Sequence, residues 1–79
     1  MKNLISKFYL TYNDPIRIID IASFCYINYS ELTGLPKENR DIEGHFPEEI
    51  EEFLELINIE EDQNWDLFDF SEAWSIFAG

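Results

Sequence analysis

DPIRIIDIASFCYINYSEL, the run from Asp14 to Leu32, decides the fold. Ile18, Ala22, Cys25 and Tyr29 recur at helical spacing, Ile19 and Tyr26 widen their stripe, and Phe24 and Ile27 fall near the other side. A helix apolar on most sides is a central one, packed by neighbours on two faces. β-branched and aromatic residues dominate the run, which admits a strand, but clean alternation is missing and the run exceeds a typical strand length. Asp14 and Pro15 supply start signals as N-cap and first helical residue. Gly34 followed by Pro36 supplies a stop. The expectation is a mostly α protein, a small compact bundle of about four helices with Asp14–Leu32 at its centre. The alternative is a small α+β domain whose first forty residues form strands.

On the N-terminal side, Leu4, Ile5, Phe8 and Tyr12 fall at helical spacing and predict a short helix over Asn3–Tyr12, with Tyr9 on its flank. On the C-terminal side, Leu35–Phe46 is polar, contains Gly44 and reads as a connecting loop with room for a helical turn at Lys37–Ile42. Pro47 opens the next helix, with Glu48 and Glu49 in its first turn, where the helix dipole favours carboxylates. Ile50, Phe53, Leu54 and Ile57 form its buried face, and Glu48, Glu51, Glu52 and Glu55 the opposite one. Asn58 is expected to end it, leaving residues 60–64 as a polar link. The last helix starts from Asn64 or Ser71 as cap, with Leu67, Phe70, Trp74 and Phe77 on one face flanked by Trp65 and Phe68.

A chain of 79 residues is a single domain at most, and so small a domain needs large side chains in its core. With 46% hydrophobic residues, including seven Phe, four Tyr and two Trp, this chain has them, which separates it from disordered acidic chains. The net charge of −12 is unevenly spread. Residues 1–40 carry five basic and four acidic groups, whereas residues 41–79 carry thirteen acidic groups and no basic one. Direct contact with nucleic acid or an anionic membrane is disfavoured, and a basic protein surface is the natural complement. A lone cysteine, Cys25, leaves no internal disulfide and fits a cytoplasmic location. The opening MKNLISKFYLTY does not read as a secretory signal, and no run has the length of a membrane span.

Chemistry-bearing motifs fail one by one. Zinc needs four Cys or His ligands, and the chain has one of each, Cys25 and His45. Cys25 reads as a small buried hydrophobe and His45 as a loop or surface residue. Asp62-x-Asn64-x-Asp66 matches the first ligands of an EF-hand loop, but Leu67 replaces the turn glycine and Ala73 the closing glutamate. Carboxylate pairs are inevitable among seventeen acidic residues and identify no catalytic site. Neither a phosphate-binding loop nor a nucleophile motif occurs. No catalytic residue, metal or cofactor is expected.

The acidic field remains. A solvated helix face usually mixes Glu with Lys at i, i+4; Pro47–Asp69 (PEEIEEFLELINIEEDQNWDLFD) has no cation at all. Glu48, Glu49, Glu51, Glu52, Glu55, Glu60, Glu61, Asp62, Asp66 and Asp69 are therefore the candidate partner-binding residues, with Trp65, Phe68 and Phe70 as aromatic anchors between them. Carboxylates one helical turn apart stand ~5–6 Å from each other, comparable with the phosphate repeat of ~3.4 Å along a DNA strand. In size, charge and acidic–aromatic texture over residues 47–72, the chain resembles small acidic inhibitors of phages and mobile elements, such as anti-CRISPR proteins, DNA-mimic anti-restriction proteins and uracil-DNA glycosylase inhibitors. The resemblance involves no shared motif. It implies a non-enzymatic protein, acting in the bacterial cytoplasm, that occupies a nucleic-acid site on a CRISPR-Cas or other host-defence protein. An immunity protein or antitoxin that neutralises a basic toxin, or an acidic adaptor subunit, are the competing readings.

Overall fold

A computed structural model describes residues 2–41 and 46–78. Helix α1 spans Lys2–Thr11, α2 Ile18–Ile27, α3 Tyr29–Thr33, α4 Glu48–Glu61 and α5 Leu67–Ala78, with a 3-10 turn at Lys37–Asp41 between α3 and α4. The described residues contain no strand, so the mostly α reading holds and the strand alternative falls. The expected turn after Leu35 is present through Asp41, while Ile42, Gly44 and His45 lie outside the described residues.

The expected central helix is shorter at its start and broken near its end. Asp14 is not its cap, nor Pro15 its first residue. Asp20 reaches back from the first turn and its carboxylate accepts the Arg17 N–H at 3.0 Å, so the helix begins at Ile18. Ile16 and Ile21, at the two positions of a hydrophobic staple, are both buried. At Asn28 the side-chain amide donates to the Phe24 carbonyl at 2.9 Å, and the Lys7 ammonium donates to its Oδ1 at 3.0 Å. The Phe24 carbonyl accepts the Asn28 backbone N–H as well, at 2.9 Å, and the break between α2 and α3 falls at Asn28. Helix α3 ends at Gly34, whose left-handed φ of 72° is the expected stop.

Two aromatic nodes hold the helices together. In the first, Phe8 of α1 meets Phe24 of α2 and Phe53 of α4 edge-on, with centroids 5.4 and 5.8 Å away, while Phe24 and Phe53 stack at 5.4 Å. In the second, Trp74 of α5 packs against Tyr26, Tyr29, Phe46 and Phe70. Such pairs add about 0.5–1.5 kcal/mol each beyond the area they bury. The 3-10 turn is strapped onto this node. Arg40 lies 3.9 Å over the Tyr26 ring, its guanidinium donates to the Tyr26 carbonyl at 3.0 Å, and its own carbonyl accepts the Trp74 indole N–H at 2.8 Å. The radius of gyration, 11.5 Å, matches the roughly 11.6 Å of a compact domain of this length.

Burial has a pH consequence. Desolvation raises the pKa of the Cys25 thiol, and raises those of the Tyr9 and Tyr29 hydroxyls with added repulsion from nearby glutamates. Each group thus keeps its proton to higher pH in the folded chain than in the unfolded one, where thiols and phenols ionise near about 8.5 and 10. The stability this contributes is whole below those values and is lost as pH rises towards the folded ones. The urea midpoint should accordingly be lower at about pH 10.5 than at about pH 7.5; a midpoint unchanged between the two would contradict this burial.

Candidate functional site

The buried ladder of α4 falls where its spacing places it: Ile50, Phe53, Leu54 and Ile57 are all in the core. Glu48, Glu51, Glu52 and Glu55 are consequently exposed on the helix's outer side. Asn58 does not end the helix. It continues to Glu61, so Glu60 is an exposed helical residue and not part of a link. The chain then turns through Asp62, left-handed at φ 52°, and the Gln63 N–H closes onto the Asn58 carbonyl at 2.9 Å in a Schellman-type turn. The Asn58 side chain clasps the far side of the same turn. Its amide donates to the Trp65 carbonyl at 2.8 Å and its Oδ1 accepts the Trp65 N–H at 3.0 Å.

The cap of α5 is Asp66, not Asn64 or Ser71. Its carboxylate accepts the Asp69 N–H at 2.8 Å, and helix begins at Leu67. That start fixes the helix's phase. Phe70, Ala73 and Trp74 face the core, Leu67 is 42% exposed, and Phe77 is half-buried. Phe70 is fully buried and cannot anchor a partner, whereas Phe68 is 71% exposed.

The ten candidate carboxylates thus divide. Glu48, Glu51, Glu52, Glu55, Glu60, Asp62 and Asp69 are exposed. Glu49 is half-buried against α3, close enough to raise the pKa of Tyr29. Glu61 is half-buried and accepts the Tyr9 hydroxyl at 2.7 Å. Asp66 is exposed but works as a cap. Glu61 and Asp66 thus have structural tasks that only tertiary neighbours or helix phase reveal. Glu72 and the apolar residues Leu56, Ile59 and Ile76 are not among the candidates, yet Leu56 and Ile59 share a depression with Glu52 and Glu55, and Glu72 and Ile76 share one with Asp69.

Among the residues whose side chains the structure describes, no ion pair joins a cation to this field. The two ion pairs found there, Lys7–Glu31 and Arg17–Asp20, both at 3.4 Å, lie outside α4 and α5, and Arg40 is engaged by Tyr26. Among the described residues, no group of three or more His, Cys, Asp or Glu side chains is placed to hold a metal ion. No helix there is long and apolar enough to cross a membrane. Comparison with protein-family models, with curated proteins and with solved structures finds no match to this chain.

Proposed function

We propose that the chain is a non-enzymatic inhibitor that sets its acidic α4–α5 face against a basic, nucleic-acid-binding surface of another protein and blocks access to it. Host-defence proteins of the CRISPR-Cas kind are the partner class that its size and charge suggest. The observation that carries the reading is the run of carboxylates along α4. Those in the first turn suit the helix dipole, but Glu60, Glu61 and Asp62 crowd the opposite end, where the dipole is negative and no basic residue lies in the last turn. Each such placement opposes folding by about 0.3–1 kcal/mol when exposed. Like-charge pairs at i, i+4, Glu48 with Glu52 and Glu51 with Glu55, add a further ~0.2–0.5 kcal/mol apiece. A solvated face has no need of either. A field maintained against both is explained by use, since anionic groups at fixed positions draw a basic partner over long range.

The test is capture from a bacterial lysate on the immobilised chain, followed by salt elution and competition with DNA or RNA. A basic protein should be retained, released as salt rises, and displaced by nucleic acid. Retention indifferent to nucleic acid would overturn the mimic reading in favour of a toxin-neutralising protein or adaptor. Retention indifferent to salt would remove the acidic face from consideration.

A further inference from the structure

The acidic face has an apolar seam running through it. Ile59 on α4 is 70% exposed, Ile76 on α5 is 69% exposed, and Leu56 is 39% exposed. Trp65, held between the two helices by the Asn58 clasp, completes the line. Three shallow depressions adjoin along it. Leu56 and Ile59 lie in the first, with Glu52 and Glu55. Ile59 and Trp65 lie in the second, about 580 Å³, with Asp62. Trp65 and Ile76 lie in the third, about 520 Å³, with Asp69 and Glu72. Glu55 and Ile59 line both the first and the second, Trp65 lines both the second and the third, Ile18 and Ile19 of α2 also line the third, and no Lys or Arg lines any of them.

Exposed apolar residues scattered singly are ordinary, whereas a contiguous apolar patch with a polar rim marks an interface. The rim selects the occupant. A second copy of the chain would bring the same acids against these, each molecule carrying −12. Anionic lipid is repelled for the same reason, and a purely ionic partner leaves the seam uncovered. A polypeptide with both characters satisfies both, its apolar side chains covering the seam and its cations meeting the rim.

We propose that the Leu56–Ile59–Trp65–Ile76 seam is a docking groove for a segment of the partner protein that interleaves large apolar side chains with Lys and Arg. This rests on the acidic face being the partner-binding surface and adds what the partner must carry besides charge.

Two synthetic peptides of equal positive charge test it: one interleaving Leu and Lys at helical spacing, the other oligolysine. Trp74 is buried, so a change in indole emission on binding reports Trp65. The Leu/Lys peptide should bind at least about tenfold more tightly than oligolysine and should persist at ~0.5 M NaCl, where screened ionic contacts fail. Combining Ile59→Ser with Ile76→Ser should erase that advantage, leaving helicity and oligolysine binding unchanged. Equal affinity for the two peptides, or insensitivity to the double substitution, would overturn the groove while leaving the charge reading intact. Failure of both peptides to bind at low salt would sink both. A dimer by sedimentation that the double substitution dissolves would overturn the proposal by giving the seam to self-association.

Discussion

Phe53→Ala is expected to remove a large share of the stability of the fold. The ring is fully buried and joins α4 to both Phe8 of α1 and Phe24 of α2. Truncating a buried Phe to Ala typically costs about 3–5 kcal/mol, through lost transfer energy and the cavity left behind. At about 0.05–0.15 kcal/mol per residue, a domain of this length has only ~4–12 kcal/mol in all. The urea midpoint, followed by far-UV circular dichroism, should fall by about a quarter or more. Phe68→Ala is the companion measurement: the same atoms leave from an exposed site on α5, and the change should stay within about 0.5 kcal/mol. A Phe53→Ala loss below about 1.5 kcal/mol would mean that this node does not hold the helices together.

The second large effect is on binding and leaves stability alone. Glu51, Glu52 and Glu55 lie on the outer side of α4, off the buried ladder. Reversing all three to Lys removes half of the net charge of −12 while touching no core residue. Helicity should be retained, and thermal stability should change little, because E52K gains a favourable pairing with Glu48 while E51K and E55K exchange a carboxylate repulsion for an ammonium one. Affinity for a basic partner should fall by on the order of a hundredfold at low salt, mostly through slower association, since steering by the field is lost. If the folded triple variant still binds at physiological salt as well as the parent, recognition uses another surface.

Periodicity made the helices legible, and Gly34 made one boundary legible. The α4 ladder and the stop at Gly34 depend on residues whose spacing or backbone freedom leaves little choice. Misread boundaries were those decided by a polar side chain with two options. Asp14 before Pro15 is a sound local start signal, but Asp20 caps the same helix from inside. Helix α2 ends at Asn28, whose amide turns onto the Phe24 carbonyl, a bond that the sequence does not distinguish from a solvated side chain. Asn58 reads as a terminus, yet its amide spans the turn to Trp65 and the helix runs on. In the candidate site, the charge of each carboxylate was legible and its engagement was not. Glu61 is taken by Tyr9 from the opposite end of the chain, and Glu49 is half-buried. Ile59 was overlooked because ending the helix at Asn58 gave it no face to belong to.

The node of Phe8, Phe24 and Phe53 also bears on how the acidic face comes into being. Each ring belongs to a different helix, and the outermost two are separated by more than half of the chain. An excised α4 would be short and self-repelling, and isolated helices of fewer than about 12–15 residues barely form in water even with favourable sequences. Its carboxylates acquire fixed spacing only when α1 and α2 close over the same three rings. The face is therefore assembled in the folding step itself, in an all-or-none manner. A partner meets either the whole array or a loose chain with none of its geometry, and a destabilising change anywhere in the node acts on binding by thinning the population of complete arrays.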